Sequence, residues 1–218
     1  MPYSPLPRSF YDRDVVVVAR ELLGKLLVRQ VRGRLTVGRI VEAEAYLGRG
    51  DPANHSYRGQ TRRNTSMFGP PGHAYVYPIH SRYCLNAVTE PAGTPSAVLL
   101  RAVEPLEGVA AMQRRRETEV LRDLARGPGR LCEAFAVDRA LDGYDLTLGR
   151  ELWIAEPDAP AAPCETIVTP RIGVTSAHDL PLRFALANCP YVSGRRSLMP
   201  LGAGPLGAPA RRGGRGAR

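Results

Sequence analysis

Apolar residues at Val15, Val18, Ala19, Leu22 and Leu23 recur at helical spacing behind Asp14, a residue type suited to capping a helix start, and Gly24 follows as a stop. Residues 14–23 therefore predict a helix, after a proline-containing lead-in over 1–13. The pattern then becomes strand-like. KLLVRQV (25–31) and LTVGRIVEAEAYL (35–47) predict a hairpin whose turn, 32–34, contains Gly33. At a period of two, Ile40, Glu42, Glu44 and Tyr46 share one face of the second strand, and Val41, Ala43, Ala45 and Leu47 share the other.

Residues 48–73 keep no period and predict a long loop, of the kind that in a compact domain is functional or disordered; it carries His55, Asn64, Met67 and Phe68. Strands are predicted next over 74–79 and 83–88 around HSR, with Pro78 forcing an edge or bulge, and over 97–103, an apolar strand with one embedded arginine. Residues 104–117 begin with acids and end with bases, as a helix dipole favours. A turn and helical spacing follow over 127–137, then a short strand at Trp153 and Ile154, a Pro/Ala-rich linker over 155–163, and late strands over 169–174 and 182–186. No internal repeat is visible.

With 218 residues and a hydrophobic fraction of 44%, the chain suits one substantial core. No apolar run approaches the roughly 20 residues of a membrane span, and the N-terminus lacks a secretory hydrophobic stretch, so a cytoplasmic protein with no membrane association is expected. The four cysteines form no CxxC pair, which points to free thiols rather than a zinc site. Of the net charge of +9, six arginines lie in 194–218, leaving 24 basic against 21 acidic residues elsewhere. That segment reads as a disordered tail, able to hold phosphates loosely or simply solubilising, behind a domain over 1–193. Lys25 is the only lysine, which disfavours Schiff-base chemistry.

Two same-face carboxylates repel when both ionise away from water, so either one titrates high or one turns to a cation. Near them, Tyr46, Tyr75, Tyr77 and His55 offer surfaces for stacking on a flat heterocycle, more strongly if it is cationic. The four histidines show no HExxH pattern, and neither a metal nor another cofactor is expected.

The ordered segments VEAEAYLG, HS, RNTSMF, GHAYVYPI, CLNAV, VLLRAVEPLEG, GPGRLCEAF, RIGV and LPLRF resemble the alkyladenine (3-methyladenine) DNA glycosylases of the mammalian type, over about residues 10 to 193. The resemblance implies an α+β single domain around a curved, mostly antiparallel sheet with surrounding helices and a protruding hairpin near 75–88. It implies a monomeric, monofunctional enzyme acting on double-stranded DNA that contains damaged purines. The N-glycosidic bond of alkylated or deaminated purines (the 3-methyladenine, hypoxanthine and ethenoadenine class) would be hydrolysed, leaving an abasic site.

Residue by residue, the resemblance makes Glu44 the general base that activates water for attack on C1′. Arg101 would lie near that water and a phosphate, and the backbone carbonyl of Ile172 would complete the water's site. Tyr46 would form one wall of the base pocket, and His55 and Tyr77 the other, His55 also offering a backbone N–H to the base edge. Asn86 would crowd the 2-amino group of guanine. Relatives place a tyrosine at the hairpin tip as a wedge; here the hairpin is one residue shorter, with His80 nearest that role and Ile79 the alternative. Arg82, Thr61 and Met67 are further expected DNA contacts. Glu42 has no assigned role beyond that of ion-pair partner or neighbour. A non-catalytic nucleic-acid-binding module and a metal-dependent hydrolase are the rival readings.

Overall fold

Strand β2 (Arg34–Tyr46) is the axis of the sheet in the computed structural model, which describes residues 3–158 and 165–194. Along one edge it pairs with β5 (Ser96–Glu107); along the other it pairs first with β1 (Leu26–Val31) and then with β8 (Arg183–Leu186). The sheet continues outward through β4 (Arg82–Thr89) to β3 (Ala74–Ile79) on one side and through β1 to β6 (Leu152–Ala155) on the other, while β8 also pairs with β7 (Thr166–Thr169). Every pairing is antiparallel, giving the expected α+β fold with a curled sheet.

Local chemistry explains the elements. Helix α2 (Val15–Glu21) starts where the Asp14 carboxylate accepts the N–H groups of Val16 and Val17 at 2.9 and 3.1 Å, and it buries Val15, Val18 and Ala19. Arg32 and Gly33, at φ 49° and 75°, make the two-residue turn of the first hairpin. The second hairpin closes more tightly than its sequence suggested: Ile79 pairs with Arg82, leaving only His80 and Ser81 in the turn.

Four expectations need correction. The lead-in contains a short helix, α1 (Arg8–Tyr11), pinned by buried Tyr11. Strand β5 runs on to Glu107, so Glu104 is a strand residue paired with Arg39, and helix α3 covers only Val109–Arg116. Between them Gly108 takes φ 70° where an added Cβ would meet the Leu35 carbonyl at 2.5 Å, so only glycine fits this corner. The strand expected over 169–174 ends at Thr169; Pro170 has no N–H to donate, and the following residues form a loop.

The fourth correction concerns β2. Strict alternation fails because the β2–β5 register slips between Ile40 and Ala43. Ile40 packs in the main core with Ala43 and Ala45, whereas Val41 packs with Ala102 and Ala185. Ile40 therefore does not share the face of Glu42 and Glu44. The turn-and-helix expected over 127–137 is present as α4 (Pro128–Ala134). Most of the 194–218 tail lies outside the described residues, as does Cys164; Cys84, Cys132 and Cys189 are free thiols.

Candidate active site

The register slip brings two carboxylates and two guanidiniums into one buried cluster. Glu42 and Glu44 are both fully buried on β2; Arg101 projects from β5 and Arg183 from β8. Glu44 accepts three hydrogen bonds: from the Tyr46 hydroxyl (3.0 Å) and Arg101 Nη1 (3.1 Å) on Oε2, and from the Ile172 N–H (2.8 Å) on Oε1. A carboxylate offers about four acceptor sites, so the one left open belongs to Oε1.

Glu42 is the carboxylate that turned to cations. Its Oε1 accepts from Arg101 Nε (3.1 Å), Arg183 Nε (2.6 Å) and Ser193 Oγ (2.9 Å), and its Oε2 from the Ser193 N–H (2.6 Å). Burial pushes the Glu42 carboxyl up, but Arg101 and Arg183 outweigh it and hold the group below the usual carboxylate range. Arg101, pulled down by burial, is lifted above its ordinary value by Glu44 and Glu42. Its fork is turned inward to these carboxylates and not toward the surface.

Tyr46, whose hydroxyl bonds Glu44, lines a cavity of about 380 Å³ with His55, Met67, Tyr77, Asn86 and Val174 among others, while Glu44 itself is fully buried behind it and does not line the cavity. The Arg171 guanidinium stacks on the Tyr46 ring at 4.6 Å. Burial, and then the Glu44 charge, raise the Tyr46 hydroxyl well above its ordinary pKa, so it serves as a donor. His55 meets Tyr77 edge-on at 4.4 Å, and Tyr75 lies 5.4 Å from Tyr77. His55 Nδ1 and the Tyr75 hydroxyl are 2.9 Å apart, and burial lowers the His55 pKa, which favours the neutral ring. Asn86 is fixed by donating Nδ2 to the Tyr75 carbonyl at 3.0 Å.

The loop that lacked any period is held by its own polar side chains. Asp51 takes Arg171 bidentately at 2.6 and 2.8 Å and accepts the Leu47 N–H at 3.1 Å. Burial raises the Asp51 carboxyl, but the Arg171 bond outweighs it and leaves it below the usual range. Asn54 donates to the Leu47 and Pro95 carbonyls, and Asn64 donates to the His55 and Gly59 carbonyls. These bonds carry His55 back over the strand that bears Glu44.

The structure thus brings Glu44, Arg101, Tyr46 and Ile172 together, with His55, Tyr77 and Asn86 around the adjoining cavity. At Ile172 it is the N–H that reaches Glu44, where a role for the carbonyl was expected. Met67 is buried and lines the cavity instead of standing on the outer surface. Thr61 lines a second cavity of about 560 Å³ on the far side of His55 and Tyr77, with Arg63 and Arg139. Arg82 is half exposed and pairs with Glu133 at 3.3 Å. Ile79 and His80 are both exposed at the hairpin tip, Ile79 also lining the cavity mouth.

Sequence reasoning missed Arg183, Ser193, Asp51 and Arg171. One signal was present: LRFAL, like LLRAV, embeds an arginine in an apolar strand, which demands a buried carboxylate. Lys25 pairs with Glu156 and lines neither cavity. Among the described residues, no group of three His, Cys, Asp or Glu is arranged to hold a metal ion, and no helix is long and apolar enough to cross a membrane.

Residues 9–190 match the family model described as Methylpurine-DNA glycosylase. A protein of Methanoculleus marisnigri is 51% identical over 193 residues, covering 87% of this chain and 99% of its own. One from Carboxydothermus hydrogenoformans is 49% identical over 189 residues (86% and 98%), and one from Chlorobaculum parvum is 46% identical over 210 residues (95% of each). All three carry the provisional name 3-methyladenine DNA glycosylase.

Proposed function

The chain belongs to the methylpurine-DNA glycosylase family, a DNA N-glycosylase acting in the repair of alkylated purines, and from that premise we propose how its residues perform the hydrolysis and on what. The observation that carries the reading is a buried carboxylate, Glu44, with an acceptor site left open on Oε1 and bonded through Tyr46 to the wall of an aromatic cavity.

A purine stacked in a duplex cannot present C1′ to a buried carboxylate, so its nucleotide is flipped out at a cost of a few kcal/mol, less where damage weakens pairing. The base enters between Tyr46 and the His55–Tyr77 wall, Asn86 crowding the edge where guanine carries its amino group. A water held on Glu44 Oε1 attacks C1′; its oxygen forms the new bond as the C1′–N bond breaks, and Glu44 takes the proton. The departing purine takes the electron pair of the broken bond, which neutralises a ring that alkylation made cationic. Tyr46, Arg101 and Ile172 hold Glu44 in a fixed orientation.

The hairpin tip supplies the wedge that fills the vacated stack. Ile79, an exposed isoleucine at the cavity mouth, suits this better than His80, because inserted wedges are typically apolar. Thr61 and Arg82 contact the flanking strands. Deaminated and etheno purines share the flat shape that the walls grip, and being neutral they depart after the ring takes a proton from solvent, so the substrates extend beyond methylated bases. One chain supplies every group named and a monomer suffices; a double-stranded DNA substrate supports a cytoplasmic protein, nucleoid-associated if bacterial. With no lysine at the cavity, an abasic site and not a cleaved strand is the product. Excision from duplexes with a single lesion, alongside Glu44→Gln, tests the reading: loss of excision with retained binding supports it, and undiminished excision overturns it.

A further inference from the structure

Glu42 lines neither cavity, yet it collects four hydrogen bonds and two arginines. Stability alone is a weak reason for it, because desolvating buried charges offsets much of their attraction. Its neighbour Arg101 supplies a better one. A guanidinium facing one carboxylate favours a two-point pair that engages both oxygens. Here the Nε edge of Arg101 is taken by Glu42, and Nη2 lies 3.4 Å from Ser193 Oγ, so only Nη1 reaches Glu44.

We propose that Glu42 is a positioning residue for base excision: by anchoring the Nε edge of Arg101 it restricts that arginine to one donor on Glu44 Oε2 and keeps a lone pair of Oε1 open for the attacking water. Arg183 and Ser193 in turn hold Glu42 in register, and the slip between β2 and β5 pairs Glu42 with Ala102, leaving Arg101, next along β5, outside the pairing. Without the anchor, Arg101 rotates to grip both oxygens of Glu44 and the water loses its acceptor. The inference rests on the reading of Glu44 as the general base.

The test is a double-mutant cycle on single-turnover excision of a hypoxanthine or 3-methyladenine duplex, using unmodified protein, Glu42→Gln, Arg101→Lys and the double variant. Lysine has no fork to misplace. Glu42→Gln alone is expected to slow excision roughly 10–100-fold, as misplacement of a reacting group does, with duplex affinity within about threefold and unchanged circular dichroism. In the Arg101→Lys background the same change should cost less than about threefold. Fully multiplicative losses, or an unchanged rate in Glu42→Gln, overturn the assignment. Should Glu42→Gln fail to fold, Ser193→Ala takes its place in the cycle, since it removes the hydroxyl from Glu42 and Arg101 and leaves every charge. Absence of excision by the unmodified protein would instead refute the glycosylase reading, so the two failures are distinguishable.

Discussion

The backbone N–H of Ile172 donates to Oε1 of Glu44 at 2.8 Å, although 128 residues separate them in the chain. A backbone donor cannot rotate away as a side chain can, so Glu44 is fixed on one side by the loop after β7 and on the other by Tyr46 and Arg101. The orientation of the carboxylate, and the single acceptor site left on it, follow from the packing of that loop.

Tyr46 combines two tasks that substitutions separate. Tyr46→Phe keeps the ring and loses the bond to Glu44; excision should slow roughly tenfold, about 1.4 kcal/mol, with lesion-duplex affinity unchanged. Tyr77→Ala removes a stacking surface and should weaken lesion binding by about 1–3 kcal/mol. Equal losses of rate and affinity in both variants would contradict the division.

Asp51 ties the His55 loop to Arg171, and so to the loop that presents Ile172. Asp51→Asn leaves a buried guanidinium without its counter-charge and should cost about 3–5 kcal/mol in denaturant unfolding. Because the folded-state pKa of Asp51 is depressed, its contribution is present above the ordinary carboxylate range and is lost as pH falls through the depressed value. The stability gap between the two proteins should therefore be full at pH 7 and narrow only in strong acid.

His55 should titrate below the ordinary histidine value of about 6.5, because burial disfavours its charged form. Its contribution to stability is present above the unfolded-state pKa and is lost as pH falls through the lowered one. Protonation also sets a cation beside a cationic base. Affinity of the Glu44→Gln variant for an alkylated duplex should thus fall on acidification, and a His55→Gln counterpart should not show that step. An NMR titration placing the ring above 6.5 would refute the assignment.

At the hairpin tip, Ile79→Ala should slow excision from a fully paired duplex more than His80→Ala does, and neither should matter for the same lesion in a single strand. The reverse order would make His80 the wedge. His80 also holds φ 52°, an unfavourable setting for a residue with a side chain, so His80→Gly should raise the melting temperature.

Much of this architecture is legible in the sequence because it is local. Asp14, Gly33 and the alternation of 74–79 and 83–88 announce their elements through capping, turn geometry and period. What escaped is set by distance and register. Nothing within a window of KLLVRQV or LTVGRIVEAEAYL tells that β2 slips against β5, yet that slip moves Ile40 to the core and sets Glu42 opposite Ala102, within reach of the Arg101 side chain. Likewise the acids at 104 and 107 suit a helix start until Arg39 claims Glu104 for the sheet. The family resemblance supplied Glu44, Tyr46 and His55, but the supports Asp51, Arg171, Arg183 and Ser193 act through partners more than 100 residues away, which no local pattern names.

Release of a damaged base bears most directly on the central claim. Duplexes each carrying one 3-methyladenine, hypoxanthine or ethenoadenine are incubated with the unmodified protein or Glu44→Gln, and abasic sites are counted. The unmodified protein should leave abasic sites at one lesion or more, and Glu44→Gln should bind the same duplex with excision reduced by about 10²–10⁴-fold. Release from no lesion by the unmodified protein, or undiminished release by Glu44→Gln, would contradict the account.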